Sequence, residues 1–154
     1  MSSPRHPRDP RLATLGGSAS EVEAQFYEAL QRADLEALMA LWADDDEIVC
    51  VHPGGPRIVG APAIRASFKA IFDNGAIPVQ PEQVHRLQLV GGAVHHLFER
   101  VEVPAEAGGT QTAWVIATNV YVKTAQGWRI AAHHASPGSL QEPDSPRDAQ
   151  ATLH

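Results

Sequence analysis

The sequence predicts an α+β domain in which helices come first and a mostly antiparallel run of strands follows. Three observations carry this. Apolar residues recur at helical spacing over residues 20–42, as in Val22, Phe26, Ala29 and Leu30. A third such stretch, with Ile64, Phe68, Ile71 and Phe72, ends at Asn74-Gly75. Beyond it lie four β-rich segments separated by turn signals: Val84–Val90, Ala93–Val103, Gln111–Lys123 and Trp128–Ser136. Helices followed by strands, without alternation, indicate α+β rather than α/β.

Taken in order, Ser20 with Glu23 forms a capping-box pattern at the start of the first helix. Asp34 is a second N-cap, opening a shorter helix through Leu35, Leu38, Met39, Leu41 and Trp42. The acidic run Asp44–Glu47 ends it as a solvated segment. Ile48–His52 is a short strand, stopped by Pro53-Gly54-Gly55-Pro56, and Arg57–Val59 makes the return. Gly60 and Pro62 introduce the third helix, where a proline in the first turn forfeits no hydrogen bond. Gly91-Gly92 and Ala125-Gln126-Gly127 are hairpin turns, and a loop through Pro104, Gly108 and Gly109 joins the two longest strands. Segments 1–17 and 138–154 are rich in Pro, Ser, Gly and Arg and read as flexible tails around a folded body over 18–137.

Composition narrows the function. The chain has 154 residues, 44% of them hydrophobic, which suits one domain with a real core. A net charge of −6 without a Lys/Arg run disfavours a nucleic-acid partner. No apolar run approaches the ~20 residues of a membrane helix, and the N-terminus lacks the apolar stretch of a secretory signal, so a cytoplasmic location is expected. Cys50 is the lone cysteine, which rules out an intrachain disulfide and reads as an inert buried thiol. The last two strands carry apolar residues on both faces, so a second copy of the chain is the simplest cover for the outer one. A homodimer is therefore expected.

The order of elements, with particular residues at particular places, resembles the nuclear transport factor 2-like (SnoaL-like) superfamily. The matching pieces are Trp42-Ala43-Asp44-Asp45, His52-Pro53-Gly54-Gly55, Gly60 with Ala63-Ile64, Ala117–Tyr121, Gly127–Ile130 and His133–Pro137. The last of these is also similar to the association domain of calcium/calmodulin-dependent protein kinase II. The resemblance spans about Ser20 to Pro137. It implies three N-terminal helices packed in the concave face of a strongly curved, mostly antiparallel sheet, with a cavity between them and a dimer through the convex face. It implies no single reaction, because the superfamily includes isomerases, dehydratases, cyclases, hydrolases and oligomerisation hubs.

The same comparison, with strand parity, selects a candidate site. It puts His133, grouped with Ala131 and Ala135, on the cavity side together with Asn119; His134 faces away with Ala132 and Trp128. Glu99 shares a face with His95 and Leu97, unless the register slips by one and brings in His96 and Arg100. His52 closes the first strand at the cavity mouth. The candidate catalytic set is thus His52, Glu99 and His133, with Asn119, Tyr27, Trp42 and Tyr121 as ligand-binding positions. Histidine titrates near neutral pH, and a neighbouring carboxylate would favour its charged form. This points to a cofactor-free acid–base enzyme or binder acting on a small hydrophobic or carbonyl compound. The plainer readings are a turn-bound His52, a satisfied core His133, and Trp42 and Trp128 as core. An interaction module is the alternative of a different class. A third is a metal-dependent protein built on His52, His133 and Glu99, although no His-Glu-x-x-His spacing is present.

Overall fold

Residues 17–139 of a computed structural model describe three helices and six strands. These are α1 (Ala19–Arg32), α2 (Leu35–Met39), β1 (Val49–Val51), β2 (Arg57–Val59), α3 (Ala61–Phe72), β3 (Val79–Leu89), β4 (Gly92–Pro104), β5 (Thr110–Thr124) and β6 (Gly127–Pro137). The sheet order is β2-β1-β6-β5-β4-β3, an open sheet whose edges are β2 and β3. Strands β3 to β6 form an antiparallel meander, and β1 joins β6 in parallel with Cys50 opposite His133. Among the described residues, no helix is long and apolar enough to cross a membrane. The expected tails lie outside the described residues apart from Gly17, Gly138 and Ser139.

Helix α1 starts two residues earlier than its capping pattern suggests. Ser18, not Ser20, is the N-cap, and its hydroxyl accepts from the Glu21 amide at 3.1 Å. The Ser-x-x-Glu spacing occurs twice here, and burial decides between the copies. Shifting the start places Val22, Phe26, Tyr27, Ala29 and Leu30 against the sheet, and it turns Glu23 inward with them. Each fully buried large apolar side chain on that face contributes roughly 1.5–3 kcal/mol.

Asp34 caps α2 as expected, accepting from Ala37 N at 3.0 Å. The helix stops at Met39 instead of Trp42, because the sheet competes for the next backbone groups. Ile130 N donates to Leu41 O at 2.8 Å, and Ala43 N donates to Ile130 O at 2.8 Å. Trp42 is thereby fixed as an isolated bridge against β6, buried in the core. Helix α3 begins after Gly60, whose φ of 89° favours glycine, and buries Ile64 and Phe68.

Strand β3 begins five residues before the expected Val84 and accommodates Pro81. It is an edge strand, where a missing amide costs no ladder bond, and it bulges between Glu82 and His85. Strands β4 and β5 pair without interruption, with His95 opposite Asn119 and Glu99 opposite Val115. This fixes Glu99 on the helix side and leaves His96 and Arg100 on the other. A second bulge, at Ala131, corrects the expected parity of β6. Tyr121 pairs with Ile130 and Val120 with Ala132. Trp128 and Ile130 therefore lie on the same face as His133, and Trp128 packs against the core instead of facing out with His134.

Candidate functional site

One transverse row organises the site. His95 on β4, Asn119 on β5 and His133 on β6 are register partners in turn, so their side chains stand side by side on the helix face. Tyr121 and Glu99 lie two and four residues along from this row on their strands, in the same alternation. Helix α1 crosses above and lowers Glu23 and Tyr27 onto the row from consecutive turns. All seven side chains are buried; the most exposed, Glu99, keeps only 6% of its surface.

A buried polar group must be paired to be tolerated, and these groups pair with each other. Glu23 Oε2 accepts from the Tyr121 hydroxyl at 2.6 Å, from His95 Nδ1–H at 2.9 Å and from Asn119 Nδ2 at 3.5 Å. Asn119 Nδ2 also donates to the Tyr27 hydroxyl at 3.1 Å, and that hydroxyl donates to Glu99 Oε2 at 2.7 Å. The Asn119 amide nitrogen is thus committed as a donor, so its Oδ1 is the acceptor facing His133 Nδ1 at 2.5 Å. That assigns the proton of neutral His133 to Nδ1 and leaves a lone pair on Nε2. His133 Nε2 stands 4.0 Å from Glu99 Oε2, beyond hydrogen-bond reach.

Burial sets the protonation states. It pushes Glu99 up to about 7; the charge of Glu23 acts in the same direction, and the Tyr27 hydroxyl pulls it back. Burial likewise drives the Tyr27 and Tyr121 phenols well above their usual range, so both remain hydrogen-bond donors. His133 is driven down to about 3, by burial first and then by His52 and His134. This corrects the expectation that His133 titrates near neutrality with help from a carboxylate. The ring is buried, and its protonated form would lose most of its hydration without an ionic hydrogen bond in return. Glu99 is raised into the neutral range, so its charge changes there. Cys50 is pushed up to about 12 by burial, which leaves an unreactive thiol.

Of the residues selected from sequence, Glu99, Asn119, His133, Tyr27 and Tyr121 converge. The two tyrosines do so through their hydroxyls, as partners of carboxylates, and not only as walls. His52 does not join their hydrogen bonds. Its Nε2 donates to Ser67 Oγ at 3.0 Å on α3, while Ser67 itself donates to Ile64 O at 2.7 Å, and the ring meets Phe68 edge-on. Trp42 is held against β6, and its Nε1 is the one sealed side-chain nitrogen or oxygen among the described residues without a partner. Among the described residues no three His, Cys, Asp or Glu side chains stand close enough to hold one metal ion, so His52, Glu99 and His133 do not form such a set.

Sequence reasoning passed over Glu23 and His95. Glu23 was assigned to a helix cap, yet it lies four residues before Tyr27 and seven before Leu30, on the apolar face of α1. An acidic residue in that stripe is the signal that could have found it. His95 was placed on the face of Glu99, but its opposition to Asn119 required a register that only pairing supplies.

Comparison with known proteins agrees with this architecture. Residues 20–139 match the SnoaL-like domain family. A solved structure of a candidate calcium/calmodulin-dependent protein kinase type II association domain from Thiobacillus denitrificans ATCC 25259 is 31% identical, with a TM-score of 0.71 over 79% of this chain and 96% of that one. A candidate dehydratase of the nuclear transport factor 2-like family from Streptomyces avermitilis is also 31% identical, with a TM-score of 0.69 over 78% and 94%. A ketosteroid isomerase-like protein from Erwinia carotovora atroseptica, 20% identical, shares the fold with a TM-score of 0.63 over 86% and 99%. No functionally curated protein matches the chain.

Proposed function

This chain belongs to the SnoaL-like domain family, within the nuclear transport factor 2-like superfamily, and from that premise we propose that it binds a small ligand between α1 and the sheet and performs acid–base chemistry there through Glu99. The observation that carries the reading is the placement of Glu99 beside the unpartnered Nε2 of His133, 4.0 Å away. A buried carboxylate raised to about 7 is poised to take or give a proton near neutral pH. Glu99 Oε1 and His133 Nε2 have no hydrogen-bond partner within the protein, so both are left to a ligand or to water. In this reading Tyr27 holds the Glu99 carboxyl in place, Asn119 fixes the tautomer of His133, and neutral His133 offers Nε2 to a ligand donor. The chemistry belongs to the isomerase, dehydratase, cyclase or hydrolase group and needs no cofactor. The likeness to a candidate dehydratase at 31% identity supports this class.

Ligand-observed NMR with a panel of cyclic ketones and small aromatic compounds tests the proposal. Compounds that bind the wild type should lose about tenfold or more in affinity in His133→Ala and Glu99→Gln, a change of at least about 1.4 kcal/mol. Amide spectra should show the fold retained. Unchanged affinity in both folded variants would remove the cluster from the site.

A second reading, self-association through the outer sheet face, is favoured by one feature. Phe98 and Trp114 pack edge-on there, 6.4 Å apart, beside Ile116. The likeness to a candidate association domain points the same way. Light scattering decides it, and a monomer at micromolar concentration would end that reading.

A further inference from the structure

The unsatisfied atoms of the cluster are chemically one-sided. Asn119 claims the Nδ1 proton of His133, so the free Nε2 is an acceptor. Glu99 donates nothing when ionised, and its Oε1 is without a partner, as is Oε1 of Glu23. The described cationic side chains lie elsewhere. Arg100 pairs with Glu82 and Glu102 on the outer face, Arg129 donates to Trp128 O, and the other described Lys and Arg residues are exposed. Two histidines face the carboxylates from within: His95, whose Nδ1 is spent on Glu23, and His133, whose Nε2 stands 4.0 Å from Glu99 Oε2. Glu99 therefore has no cationic partner within hydrogen-bond reach. The walls beside it are aromatic: Phe26 stacks at a tilt 5.0 Å from His133 and edge-on 5.2 Å from Tyr27.

We propose that the ligand of this site carries a protonated amine, on a small aromatic or cyclic frame, with the ammonium placed between Glu99 and His133 Nε2. The inference rests on the small-ligand reading above and adds the charge of the ligand to it. An ammonium brings donors and no acceptor, which suits acceptors that have no donor of their own. Its charge replaces the solvation that Glu99 lost on burial, and aromatic faces attract it further. A carboxylate or phosphate would instead meet two carboxylates with no Lys or Arg to offset them. Binding has a proton consequence. The ammonium stabilises ionised Glu99, so the carboxyl gives its proton to solvent when the ligand enters at a pH below about 7.

Titration calorimetry with three probes of one shape tests this: benzylammonium, benzyl alcohol and benzoate. At pH 6, in two buffers of different ionisation enthalpy, benzylammonium should bind about tenfold or more tightly than the alcohol, and benzoate should not bind. Close to one proton should be released per site at pH 6 and almost none at pH 8.5. Glu99→Gln should lose both the proton release and the preference for the ammonium, binding it no more tightly than the alcohol. Alcohol binding as tight as ammonium binding, or ammonium binding without proton release, overturns the inference and leaves the small-ligand reading standing. Failure of all three probes and of the ketone panel overturns both.

Discussion

Glu23 and Glu99 occupy one buried cluster, share Asn119 and Tyr27 as go-betweens, and are treated differently by their surroundings. Glu23 collects three donors on a single oxygen, from Tyr121, His95 and Asn119. Glu99 receives one, from Tyr27. The number of donors measures how much of the lost hydration the protein returns to a carboxylate. Glu99, with little returned, is pushed up to about 7. The difference teaches a division of labour. One carboxylate is a fastening that ties α1 to β4 and β5, and the other is left free to change its charge.

The strongest way to break this comparison is to remove the fastening. Glu23→Ala would strand the Tyr121 hydroxyl, the His95 ring and the Asn119 amide in a sealed space, all facing a cavity. Losing the acceptor of several buried bonds should cost roughly 3–5 kcal/mol. Urea denaturation measures it, and a loss below about 1 kcal/mol, the scale of one ordinary hydrogen bond, would show that Glu23 fastens nothing.

The next effect is the pH dependence of stability, in which the two kinds of buried group act in opposite directions. Glu99 has its folded pKa raised from 4.5 to about 7. Between those values the native state holds a proton that the unfolded chain has released, so stability is lost as pH rises through that window. His133 is lowered from 6.5 to about 3. The unfolded chain then binds the extra proton, and stability is lost as pH falls from about 6.5 towards 3. The two slopes oppose each other between 4.5 and 6.5, and above this only the Glu99 loss remains. Comparing wild type with Glu99→Gln cancels the His133 part. The difference in unfolding free energy between the two proteins should change by on the order of 3 kcal/mol from pH 4.5 to pH 8. Parallel stability curves would mean that the carboxyl of Glu99 titrates alike in the folded and unfolded chain.

The contrast between the two carboxylates also marks what was legible beforehand. The α+β order, the caps at Asp34 and Gly60 and the hairpin at Gly91-Gly92 follow from local chemistry, and the strands appear nearly where alternation and turn residues put them. The shared inner face of Glu99, Asn119 and His133 was legible because the resemblance supplied a face and parity carried it along each strand. Parity failed where a bulge intervened, at Ala131, which moved Trp128 to the inner face. The protonation state of His133 was hidden for another reason. It depends on burial beside Phe26 of α1, a tertiary fact that residue type does not encode. His52 looked like a partner because it closes β1, but the third helix brings Ser67 closer. Glu23 was obscured by the ambiguity of the Ser-x-x-Glu pattern, which a second serine two residues upstream resolves differently.

That ambiguity supports the smallest prediction and the sharpest test of the register of α1. In the structure Ser18 Oγ accepts from the Glu21 amide, whereas Ser20 lies exposed inside the first turn. Ser18→Ala should therefore cost about 1 kcal/mol, the usual worth of an N-cap. Ser20→Ala should stay within about 0.5 kcal/mol of wild type, as an exposed substitution that also improves helix propensity. The two variants report on Glu23 without touching it. If Ser20 is the capping residue, Glu23 becomes its N3 partner and its carboxylate is drawn back to the helix end, away from His95 and Tyr121. The reverse order of costs would move the helix start, release Glu23 from the cluster and leave Asn119 and Tyr121 in need of another acceptor. The expected order holds the start at Ser18 and keeps Glu23 over the sheet, where its three donors make it the fixed member of the pair.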